Sequence, residues 1–126
     1  MDIRAISQLE QEEISNYLAL DEELLYSLIP PYLPEYQNTV FAPEGQITAG
    51  KKTFKSMEKQ LHKKLCKQWK LCKRIDDPTF EDTTKLIVLI GDVIATPAVG
   101  VPPFLIASIV VKIGVREFCN CKRKPR

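Results

Sequence analysis

Five side chains in this chain of 126 residues offer the nitrogen and sulfur donors that zinc favours or thiols that can be oxidised: His62, Cys66, Cys72, Cys119 and Cys121. His62 and Cys66 are four positions apart, so they share one side of a helix, and Cys119 and Cys121 form a C-x-C near the C-terminal end. Imidazole and thiolate together suit tetrahedral zinc, and His62, Cys66, Cys119 and Cys121 are the candidate ligands, with Cys72 nearby. The spacing is not the paired C-x-x-C arrangement of common zinc modules, so the expectation is no metal and no cofactor. Cys66 and Cys72 are expected as core thiols, and Cys119 and Cys121 as a surface thiol pair. The opening segment MDIRAISQLEQEE is polar and acidic where a secretory leader is basic and then apolar, which predicts a cytoplasmic chain. In a reducing compartment a structural disulfide framework is not expected.

The second chemistry is electrostatic. Residues 1–50 carry nine acids and one base, Arg4, a balance of -8, and residues 51–126 carry seven acids and seventeen bases, a balance of +10. A basic face made of Lys55, Lys59, Lys63, Lys67, Lys70 and Arg74 follows one side of the segment KKTFKSMEKQLHKKLCKQWKLCKR. Such a face suits an acidic protein, an anionic membrane or phosphate groups, and the plainest expectation is that it meets the acidic half of its own chain. Trp69 lies near the apolar stripe and is expected to pack, so nucleic acid is the least favoured partner.

Catalysis has little to stand on. The single histidine has no nucleophile at a telling position and no glycine-rich loop can cradle phosphate, so no catalytic residue is assigned and a non-enzyme is expected.

These side chains need elements to place them, and the pattern is helical throughout. Acidic residues interleaved with Ile3, Ile6, Leu9, Ile14, Tyr17 and Leu18 predict one amphipathic helix, and Asp21 caps a second that Pro30 and Pro31 end. Residues 30–50 form a proline-rich connection, and 51–74 a basic amphipathic helix whose apolar sector holds Phe54, Met57, Leu61, Leu65, Trp69 and Cys72.

From Leu86 to Val111 the chain is apolar for 26 residues with one charge, Asp92, and is broken by Pro97, Gly100, Pro102 and Pro103. Its β-branched residues would fit buried strands, but each arm is long for a strand and the double proline suits a helix start. An apolar helical hairpin over 81–119 is expected, followed by a basic tail at 120–126. Each arm reaches about 16 Å, half of a hydrocarbon core of about 30 Å, which suits a re-entrant insertion element or an assembly surface. Asp92 within an arm calls for a partner such as Ser108 or a lysine.

The expected fold is therefore a single all-α domain of four to five helices spanning 1–126, with residues 1–29 as the acidic pair. The expected function is a non-enzymatic interaction protein, engaging a protein partner, a second copy or an anionic membrane. Leu86, Val93, Phe104, Leu105 and Ile109 are its candidate apolar contacts, and Lys112 and Arg116 its flanking bases. The hairpin is expected to be exposed, because the other helices offer little apolar surface with which to enclose both arms. The alternative is a soluble helical adaptor or small regulatory subunit with the hairpin buried, and a third class is a basic nucleic-acid accessory protein.

Overall fold

In the computed structural model, which describes residues 4–95 and 100–121 apart from the Thr79 side chain, every regular element is helical. Ser7 and Glu10 open the first helix reciprocally: the Ser7 hydroxyl accepts from the Glu10 N–H while the Glu10 carboxylate accepts from the Ser7 N–H. That helix, α1 (Gln8–Leu18), starts later than its apolar spacing implies, because the capping box fixes its first residue. Asp21 caps α2 (Glu22–Ser27) by accepting from the Leu24 N–H at 2.8 Å.

The proline-rich connection is shorter than expected. It holds two 3-10 turns, Pro30–Tyr32 and Pro34–Tyr36, and ends at 42 rather than 50, because Pro43 supplies the preset first-turn dihedral of the next helix. That helix, α3 (Pro43–Leu61), runs directly into a π-helical segment, His62–Gln68, closed by the Trp69 N–H donating to the Lys64 carbonyl at 2.9 Å. Lys70 adopts the left-handed region at φ 57°, ends the run and starts α4 (Leu71–Arg74). A 3-10 turn, Pro78–Glu81, leads to α5 (Thr83–Ile94), capped by Asp82. The second arm is α6 (Pro103–Ile113) and α7 (Val115–Cys119), separated at Gly114, whose φ of 108° a side chain rarely adopts. The all-α class is thus observed, with seven α-helices among the described residues rather than four or five. The two breaks, at Lys70 and Gly114, account for the excess. The hairpin turn at 96–99 and the basic tail at 122–126 lie outside the described residues.

The apolar hairpin is enclosed, contrary to the exposure expected for it. α6 is the central helix: α5 pairs with it along its length, and α1, α2 and α7 also pack on it. Leu105, Ile106, Ala107, Ile109 and Val110 have no exposed surface, nor do Ile87, Val88, Ile90 and Ile94 of α5. The cover comes from few but large side chains: Ile14, Tyr17, Leu25, Tyr26, Ile29 and Leu33 from the acidic segment, and Phe54, Leu61 and Leu65 from α3 and the π segment. Close approach helps. At Gly50 the backbone of α2 lies so near that a Cβ would fall on the Tyr26 carbonyl, and at Gly91 the Phe104 ring occupies the space of a side chain. Among the described residues no helix is long and apolar enough to cross a membrane.

Two further expectations are corrected. Asp92 is not internal: its side chain is 48% exposed and its partner is Arg4, while the buried Ser108 hydroxyl donates to the Phe104 carbonyl of its own helix at 2.7 Å. The cysteines are not thiols. Cys66 is bonded to Cys119 and Cys72 to Cys121, because the chain reversal through α5 and α6 brings the C-x-C against the end of the basic helix.

Candidate functional site

The basic surface begins with composition: residues 51–74 hold ten bases and one acid, Glu58. Phe54, Leu61 and Leu65 turn inward, so the intervening lysines are forced outward on the opposite side of the helix. Lys52, Lys55, Lys59, Lys63, Lys67, Lys70 and Lys73 are all exposed, and none has an ion-pair partner among the described residues. Lys51 alone of this row reaches the acidic half, with its ammonium 3.5 Å from Glu23 and 5.9 Å from the Tyr26 ring centroid. Among the described residues the two halves meet in only two ion pairs, Lys51 with Glu23 and Arg4 with Asp92, and the rest of the row makes none.

Arg74 departs from the row. Its Nε donates to the Trp69 carbonyl at 2.7 Å and its guanidinium lies 5.3 Å from the indole centroid, while Trp69 stacks on Phe80 at 5.8 Å. Trp69 packs, as expected, and takes Arg74 with it. Lys112 and Arg116 are likewise engaged within the fold: the Lys112 ammonium donates to the Leu18 carbonyl at 3.1 Å, and Arg116 pairs with Asp76 at 3.3 Å.

The candidate apolar contacts divide. Leu86, Leu105 and Ile109 are buried core residues, the last two with no exposed surface, whereas Val93 and Phe104 are half-buried. Phe104 lines a surface cleft of about 450 Å³ with Pro102, Pro103, Glu10, Glu13 and Asp92. A larger cleft, about 550 Å³, lies between the start of α1 and the start of α5 and is lined by Gln8, Gln11, Glu12 and Ser15 opposite Asp82, Thr84 and Lys85.

Beside the first cleft Arg4 bridges Glu10 at 2.8 Å and Asp92 at 2.9 Å. The bond from Arg4 and the Ser7 backbone hold the Glu10 carboxyl down at about 2. Burial pushes the Tyr17 phenol up, helped by its hydrogen bond to Glu13 at 3.0 Å, and burial together with Glu22 and Glu58 pushes Tyr26 up to about 12.

At the far end of the basic row the four candidate ligands His62, Cys66, Cys119 and Cys121 do not form an open donor set. His62 is exposed and rests edge-on against Phe118, with 4.5 Å between ring centroids, while Cys66 and Cys119 are bonded to each other. With the cysteines paired, no group of three or more His, Cys, Asp and Glu side chains stands ready for a metal among the described residues. Sequence reasoning placed Cys72 near this corner without pairing it with Cys121, and it named Ser108 or a lysine rather than Arg4 as the partner of Asp92. Cys72 had a signal in its six-residue spacing from Cys66, and Arg4 in being the sole base of the first fifty residues. Comparison with protein-family models, with characterised proteins and with solved structures finds no significant match to this chain.

Proposed function

We propose that this chain is a non-enzymatic interaction module that docks an acidic protein surface through its basic row, with the apolar hairpin serving as the internal core of the module. The observation that carries this reading is the exposed run Lys52, Lys55, Lys59, Lys63, Lys67, Lys70 and Lys73, which has no ion-pair partner among the described residues. Like charges held side by side repel, and a complementary partner relieves that repulsion while speeding encounter. Burial of Leu86, Leu105 and Ile109 supports the adaptor reading over an insertion element, because insertion would first have to empty the core.

The test uses poly-L-glutamate as the probe of an acidic protein surface, with duplex DNA and phosphatidylserine vesicles run beside it. Poly-glutamate is expected to bind at low salt and to weaken as salt rises. The triple variant Lys55→Glu, Lys59→Glu, Lys63→Glu should lose binding while its thermal melt matches the parent, since exposed charges contribute little to stability. Tighter binding to DNA or to vesicles at physiological salt would replace the acidic-protein reading by one of those, and no binding to any probe would end it.

A further inference from the structure

The two disulfides lie in one corner rather than at separate places. Cys66 and Cys72 come from the two sides of the break at Lys70, and Cys119 and Cys121 flank Asn120, which adopts the left-handed region at φ 54°. The Cys121 N–H donates back to the Arg116 carbonyl at 2.8 Å, folding the chain so that residues 119 and 121 both face the basic segment. The pairs adjoin: the Cys72 sulfur lies 3.9 Å from the Cys119 carbonyl oxygen, crossing from one disulfide to the residue of the other. All four cysteines are half-buried.

We propose that Cys66, Cys72, Cys119 and Cys121 have a second, reduced state in which they form a tetrathiolate site for one zinc(II) ion. Four sulfurs from two adjoining turns are the donor set that soft, tetrahedral zinc takes, with Zn–S near 2.3 Å and hence about 3.8 Å between sulfurs. The paired Cα atoms stand 5.4 Å and 5.3 Å apart, so that separation is reached within each pair by side-chain rotation, and the approach of the Cys72 sulfur to the Cys119 carbonyl brings the two pairs side by side. Charge agrees. Two disulfides are neutral and leave exposed Lys67, Lys70 and Lys73 uncompensated, whereas zinc with four thiolates carries a net charge of -2 among these bases.

The conversion balances with a dithiol reductant. Two equivalents of dithiol supply four electrons and four protons, each protein disulfide becomes two thiols, and each dithiol becomes a disulfide. Zinc(II) then binds the four sulfurs, releases four protons to solvent and changes no oxidation state. The ligand set differs from the one the spacing of His62 and Cys66 suggests: Cys72 replaces His62, which rests on Phe118. The donor set does not rest on the docking reading, although its charge would act on Lys67, Lys70 and Lys73 of the same row.

The experiment reduces the full chain with excess dithiol, removes the reductant without air, and titrates with cobalt(II) as the spectroscopic probe. The expected result is the visible absorption of tetrahedral cobalt with four sulfur ligands, an end point at one cobalt per chain, displacement by one zinc, and protection of all four thiols from alkylation. Cys72→Ser and Cys121→Ser should each lose the four-sulfur spectrum, and His62→Ala should leave it unchanged. An end point of two cobalt ions, a spectrum that survives Cys72→Ser or disappears in His62→Ala, or no cobalt uptake by the reduced chain would overturn the proposal. The titration and alkylation of the unsubstituted chain decide the matter even if a serine variant fails to fold.

Discussion

The guanidinium of Arg4 donates to both carboxylate oxygens of Asp92, 88 positions along the chain, and to both oxygens of Glu10. One side chain thus ties the segment before α1 to the last turn of α5 and also holds the capping residue of α1 in place. The single base of the acidic half is spent on this clasp.

The clasp has a pH signature. The Glu10 carboxyl titrates at about 2 in the folded chain against an ordinary 4.5, so its depressed value contributes stability above the ordinary pKa that is lost as pH falls from 4.5 toward 2. Arg4→Gln is expected to lower the melting temperature at pH 7 and to converge with the parent near pH 2. Thermal melts across that range check it; parallel curves with a constant offset would show that the clasp does not set the acid limb.

Much of the fold is written locally. Asp21 followed by two glutamates marks a helix start, and the stripe from Phe54 to Leu65 marks a buried face, because both depend on neighbours within a turn or two. Enclosure of the hairpin was harder to read: the acidic segment looks polar by count, yet Ile14, Leu25, Tyr26 and Ile29 are large enough to roof α6. The disulfides depend on topology alone, which brings together residues 53 and 49 positions apart, and reasoning from compartment assigned those cysteines as thiols. The break at Lys70 has no local signal, since lysine is a good helix former and pays a steric penalty in the left-handed region.

Gly50 and Gly91 sit at two helix contacts but differ in what an added methyl meets. At Gly50 it meets the Tyr26 backbone, which moves only if α2 shifts; at Gly91 it meets the edge of the Phe104 ring, which can rotate. Gly50→Ala is expected to cost about 1–3 kcal/mol or more, as overpacking does. Gly91→Ala should cost less, because alanine also gains roughly 0.5–1 kcal/mol over glycine within a helix. Denaturant melts rank the two, and the reverse order would show that α2 yields more easily than the ring.

Removing one disulfide should cost less than half of removing both. With Cys72–Cys121 intact, the Cys66–Cys119 bond closes only the small ring formed by residues 66–72 and 119–121, roughly ten residues, and contributes about 3 kcal/mol in the chain-entropy account. The bond that remains closes the long loop and contributes about 4 kcal/mol. The double variant Cys66→Ser, Cys119→Ser is therefore expected to stay folded, and the chain with all four cysteines as serine to lose about 7 kcal/mol. Equal denaturation midpoints for the parent and the double variant would show that the first bond is dispensable.

The sharpest test of the enclosed hairpin is Ile109→Lys. Ile109 lies at 0% exposure in α6, surrounded by the core and without a polar partner, so a lysine there either buries an unpaired charge or forces α6 out of the bundle. The effective penalty of several kcal/mol per buried ion consumes most of a total stability of about 5–15 kcal/mol. Circular dichroism should show loss of the cooperative melt, and limited proteolysis should cut within the helices. Asp92→Leu serves as the counterpart, since it removes only a surface pair with Arg4 and is expected to shift stability by no more than about 1 kcal/mol. An Ile109→Lys chain that melts cooperatively near the parent temperature would mean that α6 presents this face to solvent, and the hairpin would then return as a contact element.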